Sequence, residues 1–429
     1  MVDQSDVRRS RKPGEAVEPR VEHTGSVWRI RGLTAARQVL QARHATTQAG
    51  FTAEKIPTGF FRHHPILVSD GPLHDEQRKK VARFFAPAVV ARRHVPGIES
   101  RAVSFVDAAA ASGDTCLLDE LALRFSVDVT REIVGINHSS LDGMCRRLVS
   151  FFNQPPLDIT KPDYGRTRAQ WARAAFNGLV PIIRFYLADV RPAIRALRRN
   201  PADDVVSHLL AEGYSTADIL VECMTYGTAG MVTTREFIVM AAWHLLEDDR
   251  LRARYLVAGE KERFAVLHEI LRLEPVVGHL YRRVQEPVEV SDGGSTWTIP
   301  AGDLVDVCVR QTNTDPQEVG EHPTGLCPGR SMPPGVDATG MSFSDGAHKC
   351  PGRPLAITET DRFLLRLLSH DPVLVQAPTL ERDNLIEGYT LRGLGLRFPT
   401  PGTTPDSTSG TPSGALSDPA TRRATGAAS

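Results

Sequence analysis

One stretch near the C-terminal end of the chain decides the fold. It reads Phe343-Ser344-Asp345-Gly346-Ala347-His348-Lys349-Cys350-Pro351-Gly352. A strong apolar helical pattern follows these turn residues, which places Cys350 at the N-terminus of a helix and Pro351 at its first position. Free amide groups and the helix dipole at such a position favour a thiolate over a thiol, and a thiolate binds metal ions. A single cysteine at a helix start is otherwise most often just a buried residue.

The spacing Phe-x-x-Gly-x-His-x-Cys-x-Gly resembles the heme-binding signature of the cytochrome P-450 family, with Asp345 where a small residue is more usual. The resemblance implies that Cys350 is the metal ligand, bound to the iron of heme b (iron protoporphyrin IX), and that Phe343 shields the sulfur. It also implies that Gly346 and Gly352 let the backbone come close to the flat cofactor. A thiolate ligand directs electron density toward cleavage of the O–O bond.

The composition is that of an ordinary globular protein. Of 429 residues, 41% are hydrophobic and 24% are charged, and the formal net charge is zero. Zero net charge gives no overall field that would attract nucleic acid or an anionic membrane. The six cysteines are scattered, which argues against a disulfide framework and favours a reducing compartment. Because Met1–Arg20 is polar and charged, we expect no signal peptide or membrane anchor, and a cytoplasmic protein.

Three segments are expected along the chain. Residues 1–24 lack periodicity and 399–429 are rich in Pro, Gly, Ser, Thr and Ala, so both ends are expected to be disordered. Residues 25–398, over which the resemblance extends, form the expected catalytic domain: mainly α with small β-sheets, with the heme between a long distal helix and the helix after the cysteine loop. Helical patterns lie near 34–42, 74–94, 97–112, 117–136, 140–153, 165–197, 201–212, 215–247, 260–274 and 352–370. Strand-like segments are Val27–Ile30, Val288–Val290, Thr296–Ile299, Leu304–Val309 and Thr390–Leu396, with Gly293–Gly294 as a hairpin turn.

Other motifs of the family occur in the same order. Glu269 and Arg272 are three residues apart on one helix face and are similar to the family's Glu-x-x-Arg pair, with Arg330 as a third, structural partner. His74 and Arg78 share a helix face. Without the resemblance, a solvated surface pair at a helix start is an equal interpretation of these two residues. The heme-propionate contacts that the resemblance implies are His74, Arg78, Arg282 and His348.

The longest helical pattern runs from Ser215 to about Leu246, and Ser215 with Asp218 forms a capping box at its start. Its central segment, Ala229-Gly230-Met231-Val232-Thr233-Thr234, resembles the oxygen-binding stretch of the family's distal helix. The catalytic residues implied by this resemblance are Ala229, Gly230, Thr233 and Thr234. Gly230 would leave room for dioxygen, and Thr233 would aid proton delivery. A threonine here can also hydrogen-bond within the helix and do nothing more.

Val232 departs from the family pattern, which usually has an acid before the threonine. Valine cannot transfer protons, and three interpretations stay open. Water or another side chain supplies protons to an ordinary monooxygenase, or a group on the substrate does so. Alternatively, the reaction is not plain hydroxylation but an oxidative coupling, a ring closure or a peroxide-driven oxidation.

The resemblance implies a monooxygenase that inserts one oxygen atom from O2 into a small specialised metabolite. Because no dinucleotide-binding loop is recognisable, electrons would come from an external ferredoxin and an NAD(P)H-dependent ferredoxin reductase, with Arg330 or Arg353 as docking candidates. From another class, the alternatives are a non-catalytic heme-binding sensor or carrier and, with least support, a helical binding protein without heme. The expected pocket walls include Phe60, Phe61, Phe151, Phe152, Met224, Met231, Val276, Val277, Leu280 and Tyr389, although each of these, taken singly, is more often plain core. Candidate polar contacts are Tyr226, Arg62, His63 and His64.

Overall fold

The computed structural model describes residues 6–50, 63–383 and 385–399, and most of them are helical. The helices are α1 Leu33–Gln41, α2 Gly71–Phe85, α3 Pro87–Val89, α4 Val95–Ala111, α5 Leu118–Val134, α6 Leu141–Ser150, α7 Arg168–Phe185, α8 Arg191–Leu197, α9 Val205–Ala211, α10 Thr216–Thr225, α11 Thr233–Glu247, α12 Asp249–Val257, α13 Glu260–Leu273, α14 Val309–Thr312 and α15 Arg353–Leu368. Short π-helical segments are Val90–His94, Tyr186–Val190 and Tyr226–Val232, and 3₁₀ turns are Pro162–Gly165 and Gly346–His348.

The strands form small sheets. They are β1 Val21–Thr24, β2 Val27–Ile30, β3 Thr46–Ala49, β4 Cys116–Leu117, β5 His279–Val284, β6 Val288–Asp292, β7 Ser295–Ile299, β8 Leu304–Cys308, β9 Val373–Gln376, β10 Thr379–Asp383, β11 Gly388–Arg392 and β12 Gly395–Arg397. The largest sheet has the order β1-β2-β8-β5-β3, in which β2 and β8 are parallel and the other neighbours antiparallel. The remaining sheets are β4-β12-β9, β6-β7 and β10-β11.

The predicted fold class, mainly α with small sheets, is confirmed by this architecture. Gly293 and Gly294 join β6 to β7 with φ angles of 55° and 82°, which suit a two-residue hairpin turn, so that prediction is confirmed too. The sequence patterns did not indicate β1, β3, β4, β5, β9, β10, α12 or α14. Strand β3 pairs with β5, which lies more than 200 residues later in the chain, and such distant pairing leaves little local signal.

A continuous helical stretch from Thr216 to Glu247 crosses the core. Its start matches the predicted capping box: Ser215 Oγ accepts a hydrogen bond from the Asp218 amide at 3.1 Å, and Asp218 accepts one from the Ser215 amide at 3.2 Å. The middle of the stretch, Tyr226–Val232, is π-helical, and such wide turns often occur at functional sites. Residues of α11 are almost all buried, so the helix is fixed in place by packing on every side.

The N-terminal segment differs from the expectation of disorder. Residues 6–24 pack onto the domain: the Ser10 amide donates to the buried Glu274 carboxylate at 2.8 Å, and Glu15 pairs with Arg310 at 2.6 Å. The segment ends in β1, paired with β2. The expectation rested on missing apolar periodicity, whereas backbone hydrogen bonds and ion pairs hold this segment. The rest of both predicted tails, 1–5 and 400–429, lies outside the described residues.

Buried ion pairs tie α13 to the loop that precedes the cysteine segment. The Arg272 guanidinium, fully buried, lies 2.7 Å from the Glu269 carboxylate, and Arg330 lies 3.0 Å from the same carboxylate. Arg272 also donates to the carbonyls of Asn313 and Pro323, at 2.7 Å each. The three residues that the sequence grouped together are therefore in contact, and they fix the path of the chain before the cysteine loop. Within the described ranges, no helix has both the length and the apolar character needed to span a bilayer.

Candidate active site

The cysteine loop is closed by its own backbone and anchored on α1. The Cys350 amide donates to the Phe343 carbonyl at 2.8 Å, which folds the segment into a compact turn. Asp345 accepts hydrogen bonds from Gln41 at 2.9 Å and from Arg37 at 3.2 Å, both on α1. Asp345 is the loop position that departs from the family pattern, and the structure gives it a clear use as the anchor of the loop.

Cys350 lies just before α15, and the residue as a whole retains exposed surface. Protein atoms packed around it raise the pKa of the thiol by desolvation, while the amides of Gly352 and Arg353 and the charge of Arg78 lower this pKa. Desolvation is the larger of these effects, so on balance the pKa of the Cys350 thiol is raised. Helix α15 begins at Arg353, so Pro351 lies in the preceding turn rather than at the first helical position.

The two loop glycines have different surroundings. Gly346 has a φ of 65°, and a Cβ there would collide with the Leu40 carbonyl oxygen at the end of α1. A Cβ on Gly352 would lie 3.8 Å from the Cys350 sulfur, an ordinary contact. Gly346 is therefore required by helix packing and backbone conformation, whereas Gly352 keeps the space beside the sulfur open. Phe343 is partly buried against the main hydrophobic core.

Three of the four predicted propionate contacts line one small cavity between α1, α2, β5 and the cysteine loop. The polar side chains around it are those of Arg43, Thr46, Asp70, His74, Arg282 and His348. His74 and His348 have ring centroids 4.3 Å apart, and His348 Nε2 lies 3.0 Å from Asp70. The fourth contact, Arg78, donates to the Lys349 carbonyl at 2.5 Å. Arg43 was not foreseen, because nothing in the sequence near α1 indicated an anion site.

The charges of this cavity depend on burial. Burial lowers the pKa of His74 to about 4, with further lowering by His348 and Arg78, so this histidine is neutral at pH 7. Burial also lowers the pKa of Arg282 to about 10, which leaves the guanidinium charged. Burial likewise lowers the pKa of His348, against the effect of Asp70. Arg282 therefore supplies positive charge, and His74 acts as a neutral hydrogen-bonding group unless an anion binds beside it.

The predicted oxygen-binding segment carries exposed surface in the middle of an otherwise buried helix. Ala229 is exposed, and Gly230 and Thr233 are half-buried. Thr233 Oγ1 donates to the Ala229 carbonyl at 2.5 Å, which leaves its oxygen able to accept further hydrogen bonds. Val232 is buried and contributes no polar group. Ala229, Gly230 and Thr233 therefore leave accessible surface on a helix whose other residues pack into the core.

Thr234 differs from its neighbour Thr233. It is buried, donates to the Gly230 carbonyl at 2.6 Å, and also contacts Glu359 on α15. Burial raises the pKa of Glu359 well above its ordinary value. Glu359 was not foreseen, since its position nine residues after Cys350 has no local sign of function. Its carboxyl group contacts the residue next to Thr233.

The glycine of this segment is not explained by crowding. A Cβ on Gly230 would meet its nearest neighbour, Thr130 Cγ2, at 3.9 Å. A Cβ on Gly227 would instead lie 2.6 Å from a methyl carbon of Leu148 on α6. Gly227 is therefore the residue that close helix packing demands. Gly230 keeps the open space free, in line with the role that the resemblance implies.

The predicted pocket residues divide into two groups. Phe151, Phe152, Met224, Val277 and Leu280 are partly buried, as side chains beside a cavity are. Met231 and Tyr389 are fully buried in the main core and Val276 nearly so, so these three are packing residues. Phe60, Phe61 and Arg62 lie outside the described residues.

The polar candidates near this region are engaged elsewhere. His63 lies 3.2 Å from Asp218, and the carbonyl of His64 accepts a hydrogen bond from Gln77. Tyr226 is buried and stacks on Phe85.

The two arginines considered for partner docking are both paired. Arg330 belongs to the internal network with Glu269. Arg353 lies 3.2 Å from Asp337, which Lys349 also contacts at 3.2 Å. Of the two, Arg353 retains exposed surface beside the cysteine loop, so it is the better candidate.

The site fits a flat, anionic, iron-bearing cofactor. A thiol with converging amides, a cationic cavity and the bare surface of Ala229 are features that a heme with its propionates would cover. Cys350 would hold the iron. The propionates would be held by Arg282, His74, His348 and Arg78, and the surface at Ala229 and Thr233 would face the side of the heme opposite Cys350. When bound, heme supplies the redox chemistry and oxygen binding that no side chain of this chain offers.

Comparisons with known proteins find similarity to cytochromes P-450. The cytochrome P-450 family model matches residues 264–389. The chain is 28% identical over 377 residues to the cytochrome P-450 monooxygenase PikC of Streptomyces venezuelae, covering 85% of this chain and 83% of PikC. It is 26% identical over 324 residues to cytochrome P-450 130 of Mycobacterium tuberculosis, covering 72% and 71%. The structure of a mutant of EryK with erythromycin B superposes with a TM-score of 0.73, at 19% identity and 91% and 95% coverage.

Members of this family bind heme b and oxidise small molecules with O2 and electrons from redox partners. The cysteine signature, the Glu-x-x-Arg network, the fold and the sequence matches all agree. The family model over residues 264–389, the curated relatives and the superposed structures together support a bacterial-type cytochrome P-450.

Proposed function

We propose that this enzyme inserts one oxygen atom from O2 into a small, mostly apolar specialised metabolite. The observation that carries the proposal is the exposed face of an otherwise buried helix, with Ala229 exposed and the Thr233 hydroxyl beside it. The partly buried side chains of Phe151, Met224 and Leu280 supply apolar surface for such a substrate. PikC, EryK with erythromycin B and the hydroxylase HmtN of himastatin biosynthesis are relatives that favour this substrate class.

The cofactor role of Cys350 is tested by spectroscopy. The purified, heme-loaded protein is reduced, treated with carbon monoxide and scanned through the Soret region. We expect the strongly red-shifted band of thiolate ligation in the wild type and its loss in Cys350→Ala. Cys327→Ala is the matched control, because Cys327 is also an exposed free thiol. A red-shifted band that survives in Cys350→Ala would contradict the proposal.

The proposed electron source is an external ferredoxin, reduced by an NAD(P)H-dependent ferredoxin reductase. The exposed cations around the cysteine loop, Lys349 and Arg353, suit an acidic partner, although both also contact Asp337. We place the enzyme in the cytoplasm, where reducing conditions keep its six free cysteines reduced. Charge reversal in Arg353→Glu is expected to slow reduction by a ferredoxin while leaving chemical reduction by dithionite unchanged.

Protons for the reaction have a candidate source despite Val232. Glu359 is buried, burial raises its pKa well above the ordinary value, and it contacts Thr234 beside Thr233. We propose that Glu359, together with water near Thr233, supplies protons in place of the acid that the family usually has. The substrate's own hydroxyl or carboxyl group would serve equally well in the same space.

A second candidate function is oxidative coupling or peroxide-driven oxidation, and Val232 favours it. An apolar residue at this position slows proton delivery to oxygen, which matters less when peroxide brings its own protons. Turnover of the same substrate with hydrogen peroxide, at a rate equal to that with ferredoxin and NADPH, would support this candidate. A ligand that shifts the heme spectrum yet is never oxidised would instead indicate a heme-binding sensor or carrier.

A further inference from the structure

A second cluster of chemically active side chains lies on the strand that carries Arg282. In the antiparallel pairing of β5 with β8, His279 lies opposite Cys308 and Tyr281 lies opposite Asp306. Side chains alternate between the faces of a sheet, and directly opposed residues share a face. His279, Asp306 and Cys308 therefore lie on one face of the sheet, and Arg282 lies on the other. The cluster is separate from the heme site.

The side chains of this cluster converge. His279 Nδ1 lies 2.6 Å from an Asp306 carboxylate oxygen. One ligand-type atom from each of His279, Asp306 and Cys308 lies within 4.8 Å of the other two. Asp306 and Cys308 are buried, whereas the His279 side chain keeps 16% of its surface exposed. Because the His279 side chain is partly exposed beside the buried Asp306 and Cys308, a small ion can reach the cluster from the His279 side.

An imidazole nitrogen, a carboxylate oxygen and a thiol sulfur are the ligands that zinc prefers. In a tetrahedral site with bonds of about 2.0–2.3 Å, neighbouring ligand atoms lie roughly 3.3–3.8 Å apart. The three ligand atoms lie within 4.8 Å of one another, close to this range. Three protein ligands leave a fourth position for water.

The groups facing the cluster set its charge. Arg29 on β2 lies 3.8 Å from Asp306 and balances its charge in the absence of an ion. Glu15 of the N-terminal segment lies near His279, and Glu387 lies near the Tyr281 hydroxyl. Burial raises the pKa of the Cys308 thiol well above its ordinary value, so binding of an ion must release this proton to solvent, as metal binding to thiols generally does.

We propose that His279, Asp306 and Cys308 bind one zinc ion on the face of the five-stranded sheet opposite the heme-side cavity. The zinc ion is coordinated by an imidazole nitrogen of His279, a carboxylate oxygen of Asp306 and the deprotonated sulfur of Cys308. One proton leaves Cys308 when the ion binds. The ion links β5 to β8 and thereby stiffens the strand on which Arg282 sits.

The test measures zinc in the full-length, heme-loaded protein. Chelator-treated protein is mixed with one equivalent of zinc chloride and desalted, and zinc is quantified and examined by X-ray absorption at its own edge, where heme iron does not interfere. We expect one zinc ion per chain with a sulfur neighbour at about 2.3 Å and nitrogen or oxygen neighbours at about 2.0–2.2 Å. In Cys308→Ser the sulfur neighbour disappears and zinc affinity falls about tenfold or more, comparable to losses at other zinc sites.

Cys327→Ser is the matched control, because Cys327 is an exposed free thiol that is not part of the cluster, and this variant is expected to keep the sulfur neighbour. His279→Ala provides a second test if Cys308→Ser does not fold, as judged by circular dichroism and heme content. The proposal would be overturned if the protein retains no zinc, or if the retained zinc has no sulfur neighbour. It would also be overturned if the sulfur neighbour persists in Cys308→Ser and His279→Ala but is lost in Cys327→Ser.

Discussion

At the scale of single residues, local surroundings decide what each motif residue does. Cys350 has amide donors at its sulfur, yet desolvation keeps the pKa of its thiol raised. Thr233 and Thr234 are neighbours in the same motif, but one borders the open space and the other is buried against Glu359. A motif therefore fixes the type of side chain, whereas the environment fixes its charge and accessibility.

Replacement of Thr233 by alanine is expected to increase release of hydrogen peroxide per NADPH consumed, because its hydroxyl no longer orders water beside Ala229. The measurement is peroxide yield in the presence of a ligand that shifts the heme spectrum, with a surrogate ferredoxin and reductase. Thr228→Ala is the control, since Thr228 makes the same type of bond to a helix carbonyl at 2.8 Å. Equal peroxide yields in the two variants would remove Thr233 from oxygen activation.

The two glycines of the π-helical segment are expected to respond oppositely to substitution by alanine. In Gly227→Ala the new methyl group would lie 2.6 Å from a Leu148 carbon, and such overpacking costs about 1–3 kcal/mol of unfolding free energy. Gly230→Ala meets no close protein atom and gains up to about 1 kcal/mol from helix propensity. Denaturant unfolding followed by circular dichroism measures both. A greater loss in Gly230→Ala than in Gly227→Ala would show that the packing is assigned to the wrong residue.

At the scale of elements, a few buried ion pairs hold long loops in position. Helix α13 fixes the chain before the cysteine loop through Glu269, Arg272 and Arg330. The cysteine loop is fixed on α1 through Asp345. No regular secondary structure spans residues 313–345, so these contacts replace the hydrogen-bond ladders that position other parts of the fold.

Arg272→Ala is expected to destabilise the protein by about 3–5 kcal/mol, because it removes one partner of a buried ion pair and leaves carbonyl groups without donors. The heme content of the purified variant should fall in parallel, since the cysteine loop loses its support. Arg252→Ala is the control: Arg252 pairs with Asp249 at 3.0 Å on the surface, and its loss should cost less than about 1 kcal/mol. Similar unfolding free energies for the two variants would contradict a structural role of the network.

At the scale of the whole molecule, the buried titratable groups make stability depend on pH. Burial lowers the pKa of His268 to about 4, from an ordinary value of 6.5. Between these values the unfolded chain binds a proton that the folded protein does not, so this contribution is present above pH 6.5 and is lost as the pH falls toward 4. Glu222 acts in the opposite direction, because burial raises its pKa to about 7 and the folded state keeps its proton.

His268→Gln is expected to lose less thermal stability than the wild type between pH 6.5 and pH 4, because it has no group to protonate on unfolding. Comparison of the two proteins isolates this effect from that of Glu222, which both contain. His138→Gln replaces an exposed histidine and should follow the wild-type curve. The measurement is the midpoint of thermal unfolding at half-unit pH steps. Parallel curves for His268→Gln and wild type would contradict the assignment.

The parts of the protein that the sequence predicted are those with local signals. Turn residues and helical periodicity indicated the cysteine loop, the central helix with its cap at Ser215, and the hairpin at Gly293–Gly294. The resemblance added the expected heme-propionate contacts, and the structure brings three of them, His74, Arg282 and His348, to one cavity. Contacts between distant segments were not foreseen: Arg43 in that cavity, Asp345 on α1 and Glu359 beside Thr234.

The sequence by itself indicated the fold class, the turn that holds Cys350 and the order of the main helices, because these depend on interactions between residues close along the chain. The tertiary structure decided that Gly346 serves contact with α1, that residues 6–24 pack on the domain, and which titratable groups are buried. These properties depend on packing between segments hundreds of residues apart, and a local pattern carries no record of which distant side chain or carbonyl will lie against it.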